Sequence, residues 1–390
     1  MPTAQIPSDP LALYVHWPWC LAKCPYCDFN SRAMDRNNLP DEAYRDAITA
    51  ELHHYASQTN GRALSSIFFG GGTPSLMQPA TVAHIIATAE RLWGLQSDCE
   101  ITLEANPTSI EAAKFRAFKE AGVNRVSVGV QALNDADLQA LGREHSAVEA
   151  LRAVEIAGAI FNRFTFDLIY ARPNQGMTEW EAELTRAFRY AGDHLSLYQL
   201  TIEPGTAFFR QRVAEADEDL AADLYQLTQD LTADAGLLAY EISNHARPGG
   251  QSRHNLTYWT GGDYVGVGPG AHGRIAGKGT ANRHLATHQM ADPARWLDAV
   301  GTSGHGTAKV RTLSAAERAS ELLLSGLRLT EGIERAHFAQ RIGFDVRNAL
   351  DPVGLEQLSE AGLVTLSDQR LTVSDAGRLM LNAILERLVA

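Results

Sequence analysis

The sequence predicts an α/β protein, in which a partial, TIM-like (β/α)6 barrel of six parallel strands is followed by a small winged-helix-like domain. Short apolar runs alternate with stretches of helical periodicity through the first half of the chain. Polar residues follow the ends of successive runs, where the loops of a parallel barrel converge on one mouth. Near the C-terminus, several helical stretches precede a hairpin pattern.

Six short apolar runs are predicted to be the barrel strands, because each is followed by a helical stretch that can cross back to a parallel neighbour. They are Leu11–His16, Ser66–Phe69, Glu100–Leu103, Arg125–Val130, Phe164–Ile169 and Leu195–Leu200. Between them, Asp41–Gln58 is a long amphipathic stretch, and Pro79–Trp93 begins with proline in its first turn. Thr108 and Glu111 have the spacing of a capping box, and the helix they begin is expected to end at Gly122.

A stretch rich in glycine at residues 301–307 is predicted to be a linker between domains 1–300 and 308–390. The second domain shows helical patterns at Ala315–Leu327, Ile333–Ile342 and Val353–Ala361, then a hairpin of Leu363–Leu366 and Leu371–Val373, then a helix from Ala376. Its third helix carries Glu356 and Glu360 and no Lys or Arg, which argues against DNA reading. A lid or a docking surface is the predicted role of this domain.

Composition and charge narrow the functional class. With 390 residues, 45% of them hydrophobic, the chain has ample material for a folded core. A net charge of −12 argues against a protein that coats nucleic acid or an anionic membrane, whose phosphates attract basic surfaces. The N-terminus lacks the features of a signal peptide, and no apolar run of about 18 residues occurs. A cytoplasmic protein without a transmembrane segment is therefore expected.

Three of the four cysteines, Cys20, Cys24 and Cys27, fall in one short loop after the first predicted strand. Pro18 and Pro25 favour a bend there, so the three thiols can converge on one centre. So few cysteines argue against a disulfide framework. Structural zinc sites normally close with four ligands in two pairs, and no second pair follows. The spacing favours an iron-sulfur cluster with one iron left open, and zinc is the alternative.

The cysteine spacing, with Tyr26 just before the last thiol, resembles the signature of the radical S-adenosylmethionine (SAM) superfamily. The longer string from Tyr14 to Phe29 is similar to one branch, the oxygen-independent coproporphyrinogen III oxidase-like proteins, and within it to the HemW-type haem chaperones. The resemblance implies a radical SAM barrel. It also implies a [4Fe-4S] cluster on Cys20, Cys24 and Cys27, whose open iron binds the amino and carboxylate groups of SAM.

The resemblance also implies a role in SAM binding for the polar residues that follow the predicted strands. Matching positions in the family bind SAM, which implies a SAM site of Tyr14, Tyr26, Gly71, Gly72, Thr73, Glu104, Gln131, Arg143 and Asp167. Glu104 can accept from the amino group, Arg143 can pair with the carboxylate, and Asp167 can hold ribose hydroxyls. The glycines at 70–72 are expected to bring the backbone close to the ligand and point amides at it. Taken singly, each residue also suits a turn, a helix cap or a solvated position.

A second motif, His254-Asn-Leu-Thr-Tyr-Trp259, lies in the second half of the chain. A histidine beside aromatic residues is more often a structural side chain than a ligand. The pattern His-Asn-x-x-Tyr-Trp nevertheless resembles the haem-associated motif of the HemW-type chaperones. It implies haem as a further cofactor with His254 as its ligand, and Arg247 and Arg253 as partners for the propionates.

The resemblance implies a chaperone that transfers haem to apo-haemoproteins, expected to be respiratory ones. It leaves open whether the protein is also an enzyme, contacts a membrane peripherally or forms a homodimer. The alternative is a true oxygen-independent coproporphyrinogen III oxidase, in which a 5′-deoxyadenosyl radical takes hydrogen from porphyrinogen propionate chains. The oxidases have a further cysteine where this chain has Phe29, and an extra N-terminal segment that shapes the porphyrin site. Both differences favour the chaperone.

Overall fold

The computed structural model describes residues 11–59, 61–276 and 284–389. The strands are β1 Leu11–Trp17, β2 Trp19–Cys20, β3 Arg32–Ala33, β4 Leu64–Gly71, β5 Leu95–Ala105, β6 Arg125–Gln131, β7 Arg163–Tyr170, β8 His194–Gln199, β9 Leu238–Ala239, β10 Asn244–Ala246, β11 Asp263–Val267, β12 His272–Ala276, β13 His284–Gln289, β14 Thr307–Leu313, β15 Ile333–Glu334, β16 Val364–Leu366 and β17 Arg370–Val373.

The α-helices are α1 Asp41–Ala56, α2 Pro79–Trp93, α3 Ser109–Ala112, α4 Phe115–Glu120, α5 Asp135–Ala140, α6 Ala147–Ile160, α7 Met177–Ala187, α8 Ala207–Gln211, α9 Glu218–Asp234, α10 Arg253–Trp259, α11 Pro293–Ser303, α12 Ala315–Gly326, α13 Arg335–Ile342, α14 Pro352–Glu360, α15 Asp375–Arg378 and α16 Leu381–Leu388. Short 3-10 turns lie at Arg36–Asn38, Pro74–Leu76 and Val346–Ala349. None of the described helices is long and apolar enough to span a bilayer.

Six parallel strands form the centre of the large sheet in the predicted order, β1-β4-β5-β6-β7-β8. The predicted α/β class and the partial parallel barrel are therefore confirmed. A further parallel strand, β11, pairs with the outer side of β1 and places Gly266 opposite Tyr14. Antiparallel strands extend both ends, with β12, β13 and β14 beyond β11, and β10 and β9 beyond β8. Within the described residues this sheet has 12 strands.

The helix predicted from Thr108 to Gly122 begins after Thr108 and ends just before Gly122 as expected, but a turn at Ala113 and Lys114 divides it into two short helices, α3 and α4. Thr108 does cap the first of them by accepting from the Glu111 amide. The Glu111 carboxylate, however, is buried. It accepts from the Ser75 hydroxyl and, at 2.9 Å, from the backbone amide of Asn106. That carboxylate therefore ties two loops together and does not complete a capping box.

The predicted linker at 301–307 is also wrong, because α11 ends at Ser303 and β14 begins at Thr307. Strand β14 pairs with β13 and forms one edge of the large sheet. The proposed second domain, 308–390, thus begins inside a strand of the large sheet, and the division itself stays a prediction.

The C-terminal module, residues 315–389, has three helices, α12, α13 and α14, and then the hairpin β16–β17. The short strand β15 joins the hairpin in a separate sheet of order β15-β17-β16, which gives the winged-helix arrangement. Its apolar side chains form a core of their own between Ala319 and Leu388, separate from the barrel core. The predicted winged-helix-like layout is confirmed, and β15 is an addition that the sequence did not reveal.

Candidate functional site

A cavity of about 360 Å³ opens at the carboxyl ends of the parallel strands. It brings together most of the residues that the sequence singled out. They are Cys20, Cys24, Tyr26, Cys27, Gly71, Gly72, Thr73, Glu104, Gln131, Arg143 and Asp167. Tyr14 and His254 do not line it. The cavity is therefore the candidate site, and these two residues belong to a different part of the barrel.

The base of the cysteine loop rests on a cluster of aromatic rings. Trp17 and Trp19 pack edge to face at 4.7 Å between ring centroids, and Tyr44 of α1 packs against both. The Tyr44 hydroxyl also donates to the His16 carbonyl at 2.7 Å. These rings are buried, so they fix where the loop leaves β1.

The cysteine loop itself is held by backbone bonds. The Cys27 amide donates to the Cys24 carbonyl at 3.1 Å, which closes a tight turn around Pro25. The Lys23 ammonium donates to the carbonyls of Phe29 and Ser31 at 3.0 and 3.1 Å. A loop held in this way keeps its side chains free to face the cavity.

The three thiols differ in their surroundings. Burial raises the pKa of the Cys20 thiol, and a hydrogen bond with Thr73 opposes that effect. Cys24 Sγ accepts a hydrogen bond from a guanidinium nitrogen of Arg143 at 3.2 Å. Within the described residues, no three Cys, His, Asp or Glu side chains are close enough to hold one metal ion. The fit of a cluster therefore rests on the spacing and the shared cavity, and not on a preformed set of ligands.

The glycine turn after β4 packs against the cysteine loop. A Cβ on Gly72 would lie 2.6 Å from the Trp19 carbonyl oxygen, and Gly71 has a φ of +114°. The amides of Gly72 and Thr73 donate to the carbonyls of Trp17 and Trp19 at 2.6 and 2.9 Å. The Gly72 amide is therefore used by the cysteine loop, the Gly71 amide donates to Glu104 Oε2 at 3.2 Å, and an approach of this backbone to a ligand stays a prediction. The glycines allow the turn and the loop to approach closely.

Two half-buried carboxylates face the cavity, Glu104 from β5 and Asp167 from β7. Burial, and then the proximity of Asp167, raise the pKa of Glu104 to about 8. Burial raises the pKa of Asp167 to about 6. Glu104 Oε2 accepts from the Gly71 amide at 3.2 Å, and Asp167 Oδ1 lies 3.4 Å from the Ser127 hydroxyl. A cationic ligand between them would lower both pKa values.

Arg143 sits at the centre of a hydrogen-bond network that includes a residue the sequence analysis missed. Its NH2 nitrogen donates to Asn106 Oδ1 at 2.7 Å and to the Gly129 carbonyl at 2.9 Å. The side-chain NH2 group of Asn106 in turn donates to Thr73 Oγ1 at 3.1 Å. Asn106 comes two residues after Glu104, just past the end of β5, so the same strand-end rule could have found it. Arg143 Nε has no partner within the described residues.

Tyr14 and His254 line a second cavity of about 200 Å³ inside the barrel, which shares Glu104 and Asp167 with the candidate site. The Tyr14 hydroxyl lies 2.9 Å from His16 Nδ1. Tyr14 therefore lies outside the candidate site, and its contact with SAM stays a prediction.

His254 is only 1% exposed, and both of its ring nitrogens have partners. Nδ1 lies 2.9 Å from the Ser66 hydroxyl and Nε2 lies 2.7 Å from the Tyr258 hydroxyl, while the ring stacks on Phe68. Burial lowers its pKa to about 3, so the imidazole is neutral. In this arrangement His254 offers no free nitrogen to a haem iron.

Two further residues of the barrel strands and their loops are buried and lie outside the cavity. Arg172, which follows β7, is 3% exposed and pairs with Asp137 at 2.6 Å and with Glu183 at 2.5 Å. Cys99 lies on β5, is 7% exposed, and burial raises the pKa of its thiol to about 12. Cys99 is therefore a core thiol.

Comparison with known proteins gives the family. The family model for the radical SAM superfamily matches residues 14–187, and that for the HemN C-terminal domain matches residues 313–380. The heme chaperone HemW of Escherichia coli is 36% identical over 390 residues, which covers 99% of this chain and 100% of that protein. The chain belongs to the HemW branch of the radical SAM superfamily.

The chain is also similar to a relative with another name and to a solved structure. Radical S-adenosyl methionine domain-containing protein 1, mitochondrial, of Mus musculus is 40% identical over 98% of this chain and 88% of that protein. The solved coproporphyrinogen III oxidase HemN of Escherichia coli superposes with a TM-score of 0.81 at 23% identity, and covers 98% of this chain and 91% of its own. HemN therefore shares the fold of this HemW-branch chain.

Proposed function

We propose that this chain is a haem chaperone that holds a [4Fe-4S] cluster and SAM and passes haem to apo-haemoproteins, respiratory ones among them. The observation that carries the proposal is the convergence of Cys20, Cys24 and Cys27 on the cavity that Glu104 and Arg143 also line. Similarity to heme chaperone HemW along almost the whole chain supports it. All four cysteines are free, which suits a reducing compartment such as the cytoplasm.

The three loop thiols would hold three irons of the cluster. When bound, such a cluster offers an iron without a protein ligand, to which amino and carboxylate groups can attach. The cradle around that position suits this chemistry, because an Arg143 nitrogen already lies against Cys24 Sγ. A cation beside a thiolate stabilises the negative charge that cluster sulfurs carry.

The chain's polar side chains would orient SAM in the rest of the cavity. Glu104 accepts from the amino group, and Arg143, whose Nε lacks a partner within the described residues, pairs with the carboxylate. Asp167 accepts from ribose hydroxyls, and Tyr26 and Gln131 form the wall around them. Ligation of haem by His254 stays a prediction from the motif, because it would require Ser66 and Tyr258 to release both ring nitrogens.

An oxygen-independent coproporphyrinogen III oxidase is the second candidate, because the solved HemN structure matches over 98% of this chain. Phe29, which is 57% exposed at the edge of the cavity, stands where the oxidases have a further cysteine. We therefore rank the chaperone first.

The test is anaerobic reconstitution of the full chain with iron and sulfide. We expect about four irons and four sulfides per chain and a saturable hemin titration. Cys24→Ala should lose the iron, and Cys99→Ala, which removes a buried thiol far along the chain, should keep it. Colourless protein that carries zinc would overturn the cofactor assignments. Turnover of coproporphyrinogen III at ordinary enzymatic rates would favour the oxidase instead.

A further inference from the structure

Ser31 is a polar residue of the candidate site to which neither the sequence motifs nor the proposed function gives a role. It follows Cys27 by four residues, lines the same cavity as the three thiols and is only 6% exposed. Its Oγ lies 3.7 Å from Cys27 Sγ, within hydrogen-bonding range of a sulfur atom. The hydroxyl of Ser31 therefore lies against a proposed ligand of the cluster.

The same hydroxyl also reaches Cys20, at the other end of the cysteine loop. Burial raises the pKa of the Cys20 thiol, and hydrogen bonds with Thr73 and Ser31 both oppose that effect. A hydroxyl group rotates to suit its partner, so a single O–H group can serve either sulfur. Ser31 is thus within reach of two of the three thiols.

The position of Ser31 is held by the backbone around it and does not depend on the thiols. Its carbonyl accepts from the Lys23 ammonium at 3.1 Å. The neighbouring Asn30 carbonyl lies 2.9 Å from His16 Nε2, and Asn30 Nδ2 donates to the Pro269 carbonyl at 2.9 Å. These contacts attach the segment to β1 and to the loop after β11. The hydroxyl is therefore presented to the cavity from a fixed support.

Ser31 completes a set of side-chain donors, one beside each thiol. Cys24 accepts from the Arg143 guanidinium at 3.2 Å, and Cys20 has the Thr73 hydroxyl as a partner. A thiol that binds iron does so as a thiolate, which has no proton to give. In the loaded protein the hydroxyl of Ser31 must therefore be the donor and the sulfur the acceptor.

We propose that the Ser31 hydroxyl donates a hydrogen bond to the cysteine sulfurs that ligate the [4Fe-4S] cluster, and that this bond raises the reduction potential of the cluster. The inference rests on the proposed function and adds a residue that tunes its cofactor. Reduction transfers one electron from an external reductant to the cluster, and no covalent bond forms or breaks. The cysteine sulfurs share the added negative charge, so the hydrogen bond is stronger in the reduced state and stabilises it.

A redox titration of the anaerobically reconstituted full chain tests this proposal, with titanium(III) citrate as the reductant and the EPR signal of the reduced cluster as the readout. We expect Ser31→Ala and Ser31→Val to shift the midpoint to more negative potentials. At a given potential their ratio of reduced to oxidised cluster should be lower by about threefold to tenfold. Ser31→Thr matches Ser31→Val in shape but keeps the hydroxyl, so it should titrate close to the unmodified chain.

Ser303→Ala is a further control, because this serine is exposed at the end of α11 and should leave the midpoint unchanged. Iron and sulfide are counted in each variant before the titration, so that a lost cluster is not mistaken for a shifted potential.

The outcomes separate this inference from the proposed function. If the unmodified chain binds no iron, or carries zinc, the cofactor assignments and the role of Ser31 fall together. If it holds the cluster and Ser31→Val titrates at the same potential as Ser31→Thr, only the role of Ser31 is overturned. Loss of iron from all three Ser31 variants would also overturn it, because Ser31 would then serve to build the loop and not to tune the cluster.

Discussion

Glu104 and Asp167 are two half-buried carboxylates that line the cavity which, on the proposed function, takes a cationic ligand. Burial raises the pKa of each, and proximity to Asp167 raises that of Glu104 further. Below its pKa a carboxyl group is neutral and is a much weaker acceptor for the N–H of an iron-bound amino group. The affinity for SAM should therefore depend on the protonation of Glu104.

We expect the affinity of the reconstituted protein for SAM to rise as the pH increases from 6 to 7.5. The pKa of Glu104 is about 8, so its proton must leave before the amino group can pair with it, and the gain approaches about tenfold per pH unit. Equilibrium dialysis at each pH measures this.

Glu104→Gln should bind SAM more weakly and lose most of this pH dependence, whereas Glu42→Gln, an exposed change on α1, should keep it. The same steep slope in Glu104→Gln would assign the titration to another group.

Asn106 connects Thr73 of the glycine turn to Arg143, and it was not predicted as a site residue. We expect Asn106→Ala to weaken SAM binding by about fivefold to thirtyfold, because a hydrogen bond to a charged group is lost and Arg143 is less well oriented. Asn37→Ala, in an exposed turn, is the control and should bind normally. If Asn106→Ala binds SAM normally, Asn106 does not orient Arg143 for SAM binding.

The glycine turn and the cysteine loop are packed together and form one structural unit. The turn follows β4 and the loop follows β1, and these strands are neighbours in the sheet. Backbone hydrogen bonds from the Gly72 and Thr73 amides join them. The position of the thiols is thus set by the pairing of two strands as well as by the loop's own sequence.

Gly72→Ala should disturb this unit, because the new Cβ would lie 2.6 Å from a backbone oxygen that cannot move freely. We expect reduced iron content after reconstitution and a loss of about 1 to 3 kcal/mol in the free energy of unfolding. Gly301→Ala is the matched control, since nothing lies within 4 Å of its Cβ position and Gly301 is inside α11. That variant should keep its iron and gain about 0.5 to 1 kcal/mol.

Arg172 joins β7 to two helices through buried charges. We expect Arg172→Ala to lower the free energy of unfolding by about 3 to 5 kcal/mol, because Glu183, with a side chain 7% exposed, would lose its partner. Denaturant unfolding measures this. Arg152→Ala removes an exposed pair with Glu155 and should change the free energy of unfolding by less than about 1 kcal/mol. A loss of similar size in both variants would contradict the buried-pair explanation.

The whole molecule has two separate hydrophobic cores, one in the barrel and one in the C-terminal module. The elements of the large sheet, however, continue past the glycine-rich stretch at 301–307. Strand β14 lies after the glycine-rich stretch and still belongs to the large sheet. The register with β13 runs from His284 opposite Leu313 to Gln289 opposite Thr307. Removal of β14 would leave β13 as an unpaired edge.

A chain that ends after Leu313 should therefore be more stable than one that ends after Gly306, although both lack the C-terminal module. Both chains lack His337 and the other C-terminal residues that line a cavity beside α10. We expect the longer chain to melt at a temperature several degrees higher. Thermal denaturation under anaerobic conditions compares them. Equal melting temperatures would show that β14 adds nothing to the barrel.

Local periodicity, turn residues and spacing are properties of short stretches of chain, and they were sufficient to predict the six barrel strands, the winged-helix layout and the grouping of the thiols. Three features could be found only in the folded chain: β11 adds a further parallel strand, the amides of Gly72 and Thr73 bond to the cysteine loop, and His254 is enclosed between Ser66 and Tyr258. Each of these depends on contacts between residues far apart in the chain. Such contacts follow from the packing of whole elements, which no local pattern records.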